Sequence, residues 1–460
     1  MLLSELEVGL KTSAPVPAAM LRLSAPTRLT LTRLFATQEP IIEDPACDPN
    51  NPKKLTLGQV SVAHHRIRGG IVRTDCRYSR HLSKLTKCDA YLKMEVNQDT
   101  GSFKERGARF ALMNLSEEEK RAGVFAASAG NHALALSIHG KKLGVPVTVV
   151  MPRHAPLMKI TRCRELGTNV IVEGKDLSYA KKMALQLASE QQGKYINGYD
   201  QIDILAGAGT VGIEILDQVP DVDAILVQTG GGGILAGLST AVKGISPNVK
   251  VISIVPEACP SFKNSLEAGK IVTTRCTATL ADGLSVPRVG CNAFHTAMSL
   301  VDKCITVNEK DIARAILHLI ETEKIVTEGA GAIGVAGLLF GELGLEGKKV
   351  VCILSGGNID TTVLGRCLDR GLSADERLIR FSVVVSDRPG GTAELLQIIA
   401  STGASLKDTF MDRTFLRQDV FSVRVKAIVE TRGKDHVDEI EHILKKRYGD
   451  KDVDFRKFGW

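Results

Sequence analysis

The chain has 460 residues, enough for roughly three folding units at about 150 residues each. With 44% hydrophobic and 24% charged residues it can bury a large core, which excludes wholesale disorder. Lys and Arg number 59 against 52 Asp and Glu, a net charge of +7 spread thinly, so nothing points to nucleic acid, and no apolar run is long enough to span a membrane.

In chain order, residues 1–50 read as an N-terminal extension. Val8 to Gln38 holds no acidic residue and is punctuated by Lys11, Arg22, Arg28 and Arg33. Two readings stand side by side: a mitochondrial transit peptide starting at Met20, and a disordered tail, which Glu5 and Glu7 favour. Pro40 to Pro52 is rich in Pro, Asp and Asn and is expected to stay irregular. From about 51 to 367 short apolar runs alternate with helix-period stretches. Val147–Met151, Val170–Val172, Ala224–Gln228, Val249–Val255 and Lys349–Leu354 predict parallel strands covered on both faces. Lys175–Gln191 and Asn308–Glu321 predict helices, and the alternation predicts an α/β fold. Residues 368–378 read as a linker. Beyond it come a strand (Ile379–Ser386), a turn (Asp387–Gly391), a helix (Thr392–Thr402), strands Leu406–Met411 and Asp419–Ile428, a helix (Asp435–Lys446) and a last strand near Val453. That order predicts a small ferredoxin-like α+β unit over 379–460. The ten cysteines form no C-x-x-C pair and are too sparse for a disulfide scaffold, so they read as free thiols in a reducing compartment.

Four segments carry chemistry. Lys104, in Gly101-Ser102-Phe103-Lys104, follows a glycine turn at the start of a helix-period run. Such a lysine, partly desolvated, can lose its proton and condense with an aldehyde. Alone it reads better as an ordinary solvent-exposed helix lysine. Ser128-Ala129-Gly130-Asn131-His132 lies between an apolar run and a helix start, where free backbone amides cradle a carboxylate or phosphate. Thr229-Gly230-Gly231-Gly232-Gly233 follows a strand and opens a helix, and its backbone can curl round a phosphate. Ser355-Gly356-Gly357-Asn358 ends a buried parallel strand, where ligands bind in open α/β sheets. An imine-forming lysine, an anion cradle, a phosphate cup and a neutral hydroxyl together suit pyridoxal 5′-phosphate.

With the ordered set GSFKERGA, SAGNH, AGAGTVGIE, TGGGGILAG, ATLADG, TEGAGA and ILSGGNID, the chain from about Leu55 to Cys367 resembles the threonine/serine dehydratases of the fold type II pyridoxal-phosphate enzymes. The segment Ile379–Gly449 resembles an ACT regulatory domain. The resemblance implies two open parallel α/β domains of tryptophan synthase β type, with a small domain at about 99–200 inserted in a large one, plus the C-terminal α+β domain. It implies that Lys104 is the Schiff-base lysine and that Phe103 packs beside the ring. Asn131 would bond the ring 3′-oxygen, Gly230, Gly231, Gly232 and Gly233 would bind the phosphate, and Ser355 would face the ring nitrogen. Ser128, Ala129, Gly130, Asn131 and His132 would hold the substrate carboxylate, with Tyr199 in the pocket and Glu328 near the cofactor. The implied reaction is β-elimination of L-threonine, and of L-serine, to a 2-oxo acid and ammonia, with Lys104 and Ser355 as catalytic residues.

Three other readings compete. A serine racemase needs an acid opposite Lys104, and the resemblance puts Ala129 in that slot. Its divalent-metal site would need a carboxylate where Lys263 follows Glu257, so no metal is expected there. A nicotinamide dehydrogenase is suggested by the glycine-rich turn after a strand and by Glu257, but Gly230–Gly237 does not read G-x-G-x-x-G in the right frame, and GSFK and SAGNH are left without a role. A non-catalytic amino-acid sensor would have no need of Lys104. The ACT resemblance further implies a homodimer or homotetramer and an amino-acid effector. The compartment is cytoplasm or mitochondrial matrix, with no membrane partner.

Overall fold

The computed structural model describes residues 44–414, 416 and 420–455. The transit-peptide reading falls on residues 1–43 and lies outside them, as does Asp419 at the start of an expected strand. Residues 44–52 hold turns and bends but no helix or strand, as their composition predicts. They are nonetheless packed: Asp44 and Cys47 are buried, and Asn292 Nδ2 donates to Ala46 O at 3.0 Å.

The first sheet runs in the order Cys76–Tyr78, Asp89–Lys93, Lys349–Ile353, Ala224–Gln228, Lys250–Pro256, Lys303–Val307. All its pairings are parallel except that of the first strand, which is antiparallel. The Ala224–Gln228 strand explains why such runs are continuously apolar. Ile225 and Val227 pack with Leu235 and Leu238 on one face, while Leu226 packs with Ile333 and Ala336 on the other. A second, wholly parallel sheet is ordered Asn169–Val172, Val147–Met151, Val124–Ala127, Lys194–Tyr195. The five expected strands of the two sheets are all present, displaced by at most one residue at an end.

Two expectations are corrected. Residues 368–378 are not an irregular linker: a helix runs from Thr361 to Ala374. Gly371 marks close packing in this helix, since a Cβ there would lie 2.9 Å from Leu317 Cβ. The cysteines are not all free: Cys259 and Cys276 form a disulfide. The chain after Ser261–Ala268 folds back so that Thr277 N donates to Ala258 O at 2.9 Å, which brings together residues 17 apart. No short spacing signals that fold-back. The remaining cysteines are free thiols.

The C-terminal segment folds as expected, β-α-β-β-α-β, into an antiparallel sheet ordered Ser405–Asp412, Ser422–Glu430, Leu378–Ser386, Val453–Phe455. Val383, Val423 and Val425 alternate inward against Leu395, Ile399, Ile440 and Leu444 of its two helices. It is joined to the rest by Arg377, whose two Nη atoms bond Glu321 at 2.8 and 2.9 Å, and by Lys407 Nζ to Asp369 at 2.6 Å.

One buried ion network places the helix Lys104–Met113. Arg106 is fully buried, and its Nε and Nη2 grip Glu95 at 2.8 and 2.7 Å. Nη1 and Nη2 grip Glu214 at 2.7 and 2.8 Å. Lys93 Nζ reaches Glu214 from the other side at 2.6 Å. Burial opposes the charge on Arg106, but the two carboxylates outweigh it and hold the guanidinium protonated. Arg106→Ala leaves two buried carboxylates with one cation between them. It is expected to cost about 3–5 kcal/mol, read as a lower urea midpoint, with Arg106→Lys intermediate because it keeps the charge but not the fork.

Candidate active site

The candidate residues sit at the carboxyl ends of strands in both sheets. Lys104 is the first residue of its helix, behind Gly101, which holds the left-handed φ of +75°. Its Nζ donates to Gly198 O at 2.5 Å and lies 5.2 Å from the Phe103 ring centroid. Burial pushes its ammonium down to about 8, against the pull of Glu328. Phe103 itself packs partly into the core of the large sheet.

The loop after Lys349–Ile353 is laced to the Lys104 turn. Phe103 N donates to Ser355 O at 3.0 Å, Gly357 N to Gly101 O at 2.9 Å, and Ser102 bridges Gly356. Ser355 is thereby buried beside the Lys104 turn. Glu328, the N-cap of helix Gly329–Phe340, joins the same loop through its N–H to Gly356 O at 3.0 Å. Asn131 Nδ2 donates to Glu328 Oε1 at 2.7 Å. Burial pushes the Glu328 carboxyl up to about 7, while Lys159 and the Asn131 hydrogen bond pull the other way.

The Ser128–His132 segment leads into helix Asn131–Leu143. Gly130 faces open space, for a Cβ there would meet nothing within 4 Å. Ala133 N and Leu134 N donate back to Gly130 O at 3.1 and 3.4 Å, which leaves Asn131 N and His132 N as the first-turn amides with no partner one turn earlier. Ala129 packs partly into the core of the small sheet. Ser128 turns inward: its N–H donates to Val150 O, and its Oγ accepts from Gly130 N at 3.3 Å. His132 Nε2 lies 3.1 Å from Ile196 O, and burial, aided by Lys104, pushes its imidazole down to about 3. It is a neutral wall of the site.

The glycine loop is built as a cup. Gly232 has φ +96° and caps helix Gly233–Ile245. A Cβ on Gly231 would lie 2.3 Å from the Tyr199 ring, and one on Gly230 would lie 2.8 Å from Leu284 Cα. Tyr199 is thus the floor of the loop, and burial raises its hydroxyl to about 12. Neighbouring Asp200 fixes this floor by accepting from Cys291 N and Ala293 N, each at 2.9 Å.

Lys104, Phe103, Asn131, Glu328 and Ser355 are therefore in mutual reach, with Tyr199 and the four glycines forming an adjoining cup. Ser128 is tied by its loop rather than directed at these groups. Several participants were not singled out from the sequence. Asn358 lies inside the quoted SGGN segment, and its Nδ2 bonds Asn131 Oδ1 at 2.9 Å. The Gly198 carbonyl has no side-chain signal at all. Gln228, just before the glycine loop, is buried with neither amide atom partnered, and Ser102 Oγ is likewise unpartnered. Buried polar groups without partners are costly, so such atoms mark where a polar ligand belongs. An amine poised near neutrality, a cup without side chains and these orphaned atoms fit pyridoxal 5′-phosphate. Among the described residues no group of three or more His, Cys, Asp and Glu side chains is gathered to hold a metal, and no helix is long and apolar enough to cross a membrane.

This is the site of a pyridoxal-phosphate dependent enzyme. The family model of that description matches residues 67–356, and the chain belongs to the family. Among its relatives, L-threonine ammonia-lyase of Thermotoga maritima is 41% identical over 85% of this chain and 97% of that protein. L-threonine ammonia-lyase of Geobacter sulfurreducens is 38% identical over 83% and 95%. Of solved structures, the processed form of threonine deaminase isoform 2 from Solanum lycopersicum has a TM-score of 0.66 at 32% identity, covering 70% of this chain and 95% of that one. Serine racemase from Dictyostelium discoideum has a TM-score of 0.63 at 35% identity, covering 66% and 99%.

The raised Glu328 carboxyl has a consequence for stability. The folded chain holds this proton more tightly than the unfolded chain. The resulting stability is whole below the ordinary carboxylate range and is lost as pH rises through about 7. Glu328→Gln removes that loss. In cofactor-free protein it should gain on the wild type, by on the order of 3 kcal/mol, as pH rises from about 4.5 to about 7. Denaturant titrations at stepped pH check this, and parallel curves would refute it.

Proposed function

We propose that this chain is a pyridoxal-phosphate-dependent ammonia-lyase acting on L-threonine, and on L-serine. The β-hydroxyl leaves as water, which is regained in hydrolysis, so threonine yields 2-oxobutyrate and ammonia and serine yields pyruvate and ammonia. The observation that carries the proposal is Lys104 Nζ. It is half-buried, held at 2.5 Å by a backbone carbonyl with no carboxylate bonded to it, and lowered to about 8.

When bound, pyridoxal 5′-phosphate supplies an aldehyde carbon for an amino group and a ring that accepts the electron pair left by a departing α-proton. The rest falls to the chain. Lys104 holds the cofactor at rest and, once displaced by the substrate amine, takes the α-proton as a base. Its lowered pKa keeps a useful fraction unprotonated near neutral pH. Gly230–Gly233 hold the phosphate on backbone amides, Asn131 donates to the ring 3′-oxygen, and Phe103 packs beside the ring. Ser355 faces the ring nitrogen with a hydroxyl, which leaves that nitrogen largely neutral and favours prompt loss of the β-hydroxyl over transamination. The first-turn amides behind Gly130 hold the substrate carboxylate within the Ser128–His132 segment. Ala129 has no proton to give to the opposite face, which opposes the racemase reading.

The catalytic region is read as 51–367, with the small domain at about 99–200, and 379–460 as an ACT-like regulatory domain. An amino-acid effector at Asp387–Gly391 is supported by an adjoining cavity of about 490 Å³ lined by Ser386, Arg388, Glu394 and Arg447. Association into a homodimer or homotetramer is supported by the edge strand Ser405–Asp412, which exposes Leu406, Phe410 and Met411. The compartment is read as cytoplasm or mitochondrial matrix.

Two experiments test this. Purified chain is expected to release 2-oxo acid from L-threonine, with Lys104→Ala lowering the rate at least about a thousandfold. Pyridoxal phosphate uptake without release from threonine or serine would sink the ammonia-lyase reading. Deleting the chain from Leu378 onward should abolish any change of rate on adding amino acids that are not substrates. An unchanged response would refute the regulatory reading.

A further inference from the structure

Asn358 has no part in the reading above, yet its carboxamide joins two of the loops that build the site. Its Nδ2 donates to Thr100 O at 2.6 Å and to Asn131 Oδ1 at 2.9 Å, and its Oδ1 accepts from Arg162 Nη1 at 3.4 Å. Thr100 O is a backbone carbonyl, so only the nitrogen of Asn358 can face it. That nitrogen then requires the oxygen of Asn131 to face it in turn. Asn131 Nδ2 is left pointing the other way, with one hydrogen on Glu328 Oε1 at 2.7 Å and one hydrogen still to donate. Two glycines leave room for this chain of amides. A Cβ on Gly101 would lie 3.0 Å from Asn358 Oδ1, and one on Gly356 would lie 3.0 Å from Asn131 Nδ2 and 2.5 Å from Glu328 Oε1.

We propose that Asn358 is the positioning residue that keeps the nitrogen, not the oxygen, of Asn131 turned to the cofactor's ring oxygen. This rests on the assignment of Asn131 in the preceding section. A carboxamide is nearly symmetric in shape, so packing alone does not choose between its two ends. The Asn358 donor at Asn131 Oδ1 makes the choice together with the Glu328 acceptor at Asn131 Nδ2. A hydrogen facing the ring oxygen stabilises its ionised form, whereas an oxygen facing it repels that form. Asn358 thereby sets, through Asn131, the proton balance of the bound cofactor without touching it.

The test uses full-length holoenzyme loaded with pyridoxal 5′-phosphate. Asn358→Asp keeps the shape but accepts where asparagine donates, which invites Asn131 to turn over, and Asn358→Ala removes the donor. Both are made alone and in an Asn131→Ala background. The readouts are the visible absorption of the bound cofactor across pH, and kcat and KM for L-threonine. Both single variants should retain the cofactor but shift its absorption toward the form with a non-ionised ring oxygen, Asp more than Ala. kcat should fall about tenfold or more while KM stays within about threefold. In the Asn131→Ala background neither substitution should shift the spectrum further, because the residue it acts through is gone. Wild-type spectra in the single variants, or an equal added shift in the Asn131→Ala background, would overturn the proposal. If the Asp variant does not fold, the Ala cycle decides alone. A wild-type chain that takes up no pyridoxal phosphate sinks the cofactor reading and this proposal together. A wild type that binds it, alongside variants indistinguishable from it, sinks this proposal only.

Discussion

The geometry of the site depends on a guanidinium that never meets solvent. Arg106 lies two residues beyond Lys104, in the first turn of the same helix, and is gripped by Glu95 on one side and Glu214 on the other. A point charge would leave that helix free to rotate about its contacts. A planar fork with two carboxylates does not, because each paired bond sets a direction as well as a distance. The value of such a network lies in placement more than in net stability, since buried ion pairs roughly break even against apolar packing. Lys93 completes the set, so two basic side chains meet two carboxylates in this network.

Burial acts the same way on each of the site's shifted titratable groups. It lowers Lys104, lowers His132 and raises Glu328, in every case toward the neutral form. This shift lessens, without abolishing, the charge carried by the pocket's own groups near neutral pH. It also leaves an amine ready to act as a base near neutral pH. The glycine loop follows the same economy, since its walls are Tyr199 and Leu284 rather than lysines or arginines.

The C-terminal unit meets the catalytic region close to this pocket along the chain. Arg377, just before the antiparallel sheet, forks onto Glu321 in the π-turn Leu319–Glu323. That turn ends at Lys324, in the left-handed conformation, and the chain then runs directly to Thr327 and Glu328. The Arg377–Glu321 ion pair thus ties the start of the C-terminal sheet to a stretch of chain that reaches Glu328 within a few residues.

The strands and the C-terminal β-α-β-β-α-β order were legible because hydrophobic periodicity and turn residues are local properties. The lysine turn, the Ser128–His132 segment, the glycine run and Ser355 stood out as segments because small and polar residues interrupt the apolar pattern there. The helix through 368–374 was misread because glycine signals a break and close packing alike. The Cys259–Cys276 disulfide, the Gly198 carbonyl and the Arg106 network were not legible, because each joins groups that only the fold brings together. By itself, then, the sequence determined which chemical groups the chain owns and which strand ends carry them. The tertiary structure alone decided which way Asn131 points, how far Lys104 is stripped of water and which carboxylates neutralise Arg106. Those depend on distances between residues remote in the chain, and no local pattern encodes them.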